Sequence, residues 1–260
     1  MKIPIYQIDN FTDKVFGGNP AAVCPLEQWL PSDLMQKIAA ENNLSETAFF
    51  VKEGSSYRIR WFTPTQEIDL CGHATLAAGF VIFTFLNPSL KEVTFQSQSG
   101  PLHVLKQEQF LFLDFPSREG KPVEPPEALI VGLGKKPLET FLSRDYLVIY
   151  SSEAEVKELK PDFRALAEIK DCLGIIASAP GGNCDFVSRF FAPNAGVDED
   201  PVTGSAHCTL IPYWSKRLNK KQLSAQQVSL RGGNLVCEDL SERLKIGGSC
   251  ICYLRGEIEV

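Results

Sequence analysis

Histidine is scarce in this chain of 260 residues, which carries only His73, His103 and His207. None of the three stands at a zinc-type spacing from other ligand residues, so no metal site is expected. Cysteine is not scarce, with eight copies, but no two form a CxxC pair and the fraction is ordinary for this length. A disulfide framework is therefore excluded, and reduced thiols, mostly in the core, are expected; Cys250 and Cys252 read as same-face residues of a strand. Runs of Lys or Arg are also missing. With 26 basic against 32 acidic residues, a net charge of -6 and a pI near 5.2, the chain has no nucleic-acid surface, and a small molecule is the expected partner. The opening MKIPIYQIDNF lacks a long apolar run. Neither a signal peptide nor a membrane span is expected there, which gives a soluble cytoplasmic protein as the reading.

What is present is a succession of short strands and a few helices. Residues 3–9 alternate as a strand, and the turn GGNP leads into AAVC to make a hairpin. Residues 29–42 place Leu34, Met35, Ile38 and Ala39 at helical spacing. Leu44-Ser45-Glu46 then connects to a strand rich in aromatic and branched residues, Thr47, Phe49, Phe50 and Val51. Glu46 stands where that loop becomes a buried strand, either on a polar face or as a desolvated base. Residues 57–63 form another strand, and an acidic loop follows Pro64. Gly72-His73-Ala74 opens a helix that is apolar on every side from Leu76 to Leu86. A helix without a polar face has to be surrounded by protein, and in a run of short strands a curved sheet wrapped around it is the simplest enclosure. Its start at Gly72 and His73 is then the end open to a ligand.

Further strands are expected at 92–95 and 110–115, and residues 116–127, rich in proline and charge, read as a linker. This sets domains at 1–115 and 128–260, with the last strand free to return to the first. The second half shows a helical piece at LIVGLG, a strand at 145–150, a helix around 164–169 and strands in LGIIASA and CDFVSRFFAP. A helix follows Ser205, with Pro212 expected to bend it, and late strands lie around Val228, Leu244 and 250–260.

Between the last of these helices and its preceding strand lies GVDEDPVTGSAH, where Asp198, Glu199 and Asp200 precede Pro201 and Thr203-Gly204-Ser205 open the helix. Amides at a helix start carry a partial positive charge, and small residues let a carboxylate or phosphate approach them. An acid-rich turn that merely caps a helix is the plain alternative. The device occurs twice, however. Arg60-Trp61-Phe62-Thr63-Pro64, an acidic loop and Gly72-His73-Ala74 match Arg189-Phe190-Phe191-Ala192-Pro193, an acidic loop and Gly204-Ser205-Ala206, with offsets of 129 at the arginines and 132 at the glycines. Such spacing marks a duplicated domain. It predicts two helix starts facing one cleft, with Glu46 on one wall and Asp200 on the other.

The stretches NLSETAFF, FTPTQEIDLCGHATLA and RFFAPNAGVDEDPVTGSAHCTLIPYW resemble the PhzF-like isomerase family of phenazine biosynthesis, and the resemblance runs along essentially the whole chain. It implies the diaminopimelate epimerase-like fold: α+β, with two similar domains related by pseudo-two-fold symmetry, each a mostly antiparallel β-barrel around a central apolar helix. It also implies a cofactor-independent isomerase that moves a proton and a double bond on a small carboxylate-bearing substrate; the best-known members act on a cyclohexadiene acid. By motif position the catalytic glutamate falls on Glu46, the histidine on His73, the aspartate on Asp200 and the helix-start serine on Ser205. Substrate contacts are expected from Ser45, Cys71, Gly72, Gly204 and Ser205, with Glu46 raised in pKa by apolar surroundings. Neither a cofactor nor a membrane partner is expected, and a homodimer is compatible with the family. Cys71 departs from the phenazine enzymes and stands where diaminopimelate epimerase has one of two cysteines. No second thiol faces it in the matching turn, so a cysteine-based epimerase is a lesser alternative, after a non-catalytic binding module on the same fold.

Overall fold

The computed structural model describes residues 1–260. Alternating branched residues make Lys2–Asn10 a strand, which pairs antiparallel with Asn19–Leu26, Tyr6 opposite Val23 and Asn10 opposite Asn19. The turn between them depends on Gly18, whose φ of +61° and closeness to the Asn10 carbonyl leave no room for a Cβ. The chain divides into two compact units, one of Met1–Asp114 with Gly247–Val260 and one of Phe115–Ile246. The fold is α+β, with mostly antiparallel strands and few helices.

In the first unit, Asn19–Leu26 also pairs in parallel with Thr47–Glu53, which pairs antiparallel with Ser56–Phe62. Ser56–Phe62 continues antiparallel to Glu67–Ile68 and parallel to Glu92–Ser97, itself antiparallel to Gly100–Gln107. In the second unit, Tyr146–Ile149 pairs in parallel with Ile175–Pro180, which is antiparallel to Phe186–Ala192. Phe186–Ala192 is antiparallel to Val197–Asp200 and parallel to Gln222–Gln227, which is antiparallel to Gly233–Asp239. The pairings thus recur in the same order and sense. The side chains recur with them. Arg60 grips Glu67 through two hydrogen bonds of 2.7 Å and stacks on Phe62, while Arg189 grips Glu199 at 2.7 and 2.8 Å and stacks on Phe191.

The apolar helix is Gly72–Val81, and it continues as a wider turn over Ile82–Leu86, where the Asn87 amide reaches back five residues to the Ile82 carbonyl. It packs on Lys2–Asn10, Asn19–Leu26, Thr47–Glu53 and Gly100–Gln107, and its residues from His73 to Gly79 are buried. The enclosure ends before Leu86, which is exposed. The second unit's helix, Gly204–Leu218, contacts Gln222–Gln227 and Gly233–Asp239. Pro212 lies inside it without ending it. Proline cannot donate to the carbonyl four residues back, which is that of Cys208, and the Arg118 amide donates there instead, at 2.9 Å.

Several expectations give way. Residues 116–127 are not a linker: Lys121–Pro122 pairs with Glu139–Leu142, and the Val123 amide donates to the Thr140 carbonyl. Proline needs no ladder partner for an N–H it lacks, so a proline-rich segment serves as a short edge strand. The last strand, Cys250–Glu259, makes the return that the sequence left open: it pairs with Lys2–Asn10 and belongs to the first unit. Val228 follows a strand and is not its centre. The strands Gly100–Gln107, Glu139–Leu142 and Gly233–Asp239 carry too much charge or too little length to show by alternation. All eight cysteines are free, but Cys172, Cys184, Cys250 and Cys252 are only half-buried, so the thiols are less a core population than expected.

At Gly79 the apolar helix lies close against Val104 of the strand Gly100–Gln107. A Cβ there would lie 2.8 Å from Val104 Cγ1 and 3.1 Å from Val104 Cβ, and Val104 is fully buried. Alanine gains about 1 kcal/mol of helix propensity over glycine, while overpacking a rigid β-branched neighbour costs about 1–3 kcal/mol. Gly79→Ala is therefore expected to lower stability, and a rise in the urea midpoint of the variant would show that the helix has slack at this contact.

Candidate active site

Glu46 is set at the head of a buried strand. Its carbonyl accepts from the Ala22 amide at 3.2 Å, and Thr47, the first residue of the strand, is buried. Cys71 is the extended residue preceding the apolar helix, and His73 is the helix's second residue. The Thr75 amide and hydroxyl both donate to the Cys71 carbonyl. This pins the helix start, because a carbonyl held twice cannot swing and the side chains on either side of it keep their direction.

These elements bring three expected site residues together. His73 Nε2 lies 3.0 Å from Glu46 Oε2, and His73 Nδ1 lies 3.6 Å from Cys71 Sγ. His73 is 8 % exposed and Cys71 6 %, and the Glu46 side chain is 16 % exposed. An ionised carboxylate only accepts, so Nε2 carries a proton toward it. The contact has the length of an ion pair with poor hydrogen-bond aim, and neither atom has another partner. Burial disfavours charge on His73, but the Cys71 sulfur and the Glu46 carboxylate outweigh it and hold the imidazole well above its ordinary value. Burial, reinforced by Glu46, pushes the Cys71 thiol up. Glu46 is thus not the solitary carboxylate in apolar surroundings that its sequence neighbourhood suggests. His73 turns to Glu46 and not to an acid of the preceding loop. Ser45 and Gly72, both half-buried, flank this group along the chain. One nitrogen, one sulfur and one oxygen lie within 4.8 Å of one another, a donor set that could hold a metal ion.

The second unit carries a separate constellation around Asp200. The Thr203 hydroxyl donates to Asp200 Oδ2, and the fully buried Gln227 donates through Nε2 to the Asp200 carbonyl while accepting the Thr203 amide at 2.9 Å. Gln227 therefore fastens both ends of the turn from Asp200 to the helix start at Gly204. Ser205 Oγ accepts from Arg144 Nη2 at 3.0 Å, which leaves its own hydrogen for another acceptor. Arg144 is anchored by Asp145, 1 % exposed, through its Nε and Nη2 atoms. Gln227, Arg144 and Asp145 escaped the sequence reading, since a glutamine in QQVS and an Arg-Asp pair in the bend between Glu139–Leu142 and Tyr146–Ile149 carry no motif. His207, read as structural, donates from Nδ1 to the Thr203 carbonyl at 2.8 Å, and burial drives it down to about 4. His103 bonds Thr94 at the surface.

Residues 8–256 match the family profile described as phenazine biosynthesis-like protein. An isomerase of Pseudomonas aeruginosa, described as uncharacterized, is 49 % identical and both chains are covered completely. The crystal structure of a phenazine biosynthesis PhzF family protein from Enterococcus faecalis superposes with a TM-score of 0.98 at 50 % identity, again over 100 % of each chain. A predicted epimerase of Pseudomonas aeruginosa shares the fold at TM-score 0.76 and 16 % identity, over 99 % of each chain.

The two buried histidines should give opposite pH dependences. His73 is raised on folding, so its contribution is complete below its unfolded value near 6.5 and fades as pH climbs through the folded one. His207 is lowered from 6.5 to about 4. The unfolded chain then takes up the proton first, and roughly 3 kcal/mol of stability is lost as pH falls across that window. Melting curves against pH test both. His207→Gln is expected to flatten the acid side and His73→Gln the alkaline side, and an unchanged acid slope in His207→Gln would remove His207 from the account.

Proposed function

We propose, from the premise that this chain belongs to the phenazine biosynthesis-like protein family and is an isomerase, that it moves a proton between two carbons of a small carboxylate-bearing substrate. The observation that carries this reading is the buried Glu46–His73 pair at 3.0 Å. With His73 held protonated, Glu46 is a carboxylate ready to accept. Glu46 takes the proton from carbon and returns it at a second position of the same molecule, so no net acid or base is consumed. The pair is neutral while Glu46 is a carboxylate and carries one positive charge, on His73, once Glu46 has loaded the proton, and that charge favours the enolate that develops in between. No cofactor enters this scheme.

Asp200 and Ser205 serve the polar end of the substrate in this reading, and the amides at Gly72 and Gly204 with Ser45 contribute donors to its carboxylate. The recurrence of strand pairings and of the arginine clamps supports descent of the two units from one duplicated barrel around a helix. A second reading follows from the Cys71–His73 contact: Cys71 as the base of an epimerase. The raised thiol disfavours it, since the thiolate is the reactive form.

The test is Glu46→Gln, which keeps volume and one carbonyl acceptor but cannot take a proton. Candidate unsaturated carboxylic acids, cyclohexadiene acids among them, are incubated in D₂O and followed by NMR. Wild type should introduce deuterium at carbon, and Glu46→Gln should slow this by about 10²–10⁴-fold with substrate binding retained. Near-normal exchange by Glu46→Gln, together with its loss in Cys71→Ala, would transfer the role to the thiol.

A further inference from the structure

Glu46, Cys71 and His73 have a second chemistry that proton transfer does not use. They offer a carboxylate oxygen, a sulfur and an imidazole nitrogen within 4.8 Å of one another. Two of these side chains carry a buried atom with no hydrogen-bond partner beyond their mutual contact, His73 at Nε2 and Glu46 at Oε2. We propose that these three residues form a binding site for one zinc ion, with the fourth position open, and that zinc there is a reversible blocker of the Glu46–His73 pair.

The distances come close to those of a zinc site, and one adjustment of the Glu46 side chain completes it. With Zn–N and Zn–O near 2.0 Å and Zn–S near 2.3 Å, the edges of a tetrahedral site are about 3.5 Å from nitrogen to sulfur and about 3.3 Å from nitrogen to oxygen. His73 Nδ1 to Cys71 Sγ is 3.6 Å, and His73 Nε2 to Glu46 Oε2 is 3.0 Å. One ion uses only one of the two nitrogens. Glu46 has the longest of the three side chains, and rotation about its torsions brings its oxygen round to the nitrogen that faces the sulfur. The donor set also selects the metal. Magnesium and calcium take oxygen ligands, whereas nitrogen, sulfur and oxygen with one open position is the arrangement of non-structural zinc sites. Binding forms one Zn–S, one Zn–N and one Zn–O bond. The Cys71 thiol proton, and the second imidazole proton of His73 when present, pass to solvent, and water leaves the hydrated ion; nothing is oxidised or reduced.

The cysteine ligand gives a readout independent of turnover. Metal-free protein is titrated with cobalt(II), whose thiolate complexes absorb in the near ultraviolet, and then with zinc against a chromophoric chelator. One equivalent of cobalt should produce a charge-transfer band that zinc abolishes. Cys71→Ser should lose the band and weaken zinc binding by at least about 100-fold, since even outer-shell changes cost 10–100-fold; His73→Gln should do the same. Cys71→Ala repeats the test if the serine variant melts abnormally, and Cys184→Ser and Cys252→Ser should bind as wild type. The proposal fails if the band persists without the Cys71 thiol, because another cysteine is then the ligand, or if wild type shows no saturable zinc binding in the micromolar range. Either result leaves the isomerase reading untouched, which is judged by deuterium exchange alone.

Discussion

A carboxylate and an imidazole kept beside each other, almost out of reach of water, set the terms for the rest of the first unit. Either group alone at that depth would shed its charge, because taking an ion from water into a protein interior costs several kcal/mol. Together they form a pair that can stay charged. Keeping it requires that neither backbone drift, and the scaffold holds both. The Glu46 carbonyl is tied to Ala22 in the neighbouring strand, and the helix start carrying His73 is tied through Thr75 to the Cys71 carbonyl. The burial of the helix behind His73 leaves that start no freedom to tilt.

The second unit solves a different problem with neutral groups. Asp200 is reached by a hydroxyl, and its backbone is held by the amide of Gln227, so the turn is fixed by hydrogen bonds that survive any change of protonation on its neighbours. His207 contributes in the same way, remaining uncharged and donating to the Thr203 carbonyl. Upstream, both units use one further device. A strand arginine clamped by a glutamate seven or ten residues later, which sits on the returning strand opposite the phenylalanine under the guanidinium, fixes where each loop sets out toward its helix.

Much of this was legible in the sequence. The all-apolar helix, the hairpin at Gly17-Gly18 and the recurrence of the arginine, acidic loop and glycine could be read from spacing alone, because each rests on a local constraint: lack of a polar face, a positive φ, or a fixed order of residue types. Glu46, Cys71 and His73 could be named individually from motifs. Their meeting could not, since 25 positions and three strands separate Glu46 from Cys71 and only the strand pairings close that distance. The proline-rich segment at 116–127 misled for a related reason. Composition reports what a residue cannot do, and a missing N–H is as compatible with a sheet edge as with a loop. Gln227 and Arg144 lay beyond reach because their role is to satisfy backbone and side-chain groups that become neighbours only after folding.

The pairing of the first strand with the last has a consequence for biosynthesis. Lys2–Asn10 lies antiparallel along Cys250–Glu259, Lys2 opposite Glu259. On the ribosome Lys2–Asn10 is made before every other element of this fold, and Cys250–Glu259 after all of them. One edge of that strand can zip onto Asn19–Leu26 at once, while the other stays unsatisfied until Cys250–Glu259 has been made. Phe115–Ile246 is continuous and can reach its native contacts first. The nascent chain therefore presents a half-paired strand to its surroundings until Cys250–Glu259 emerges, and that emergence, not synthesis of the first unit's own helices, is the event that seals it.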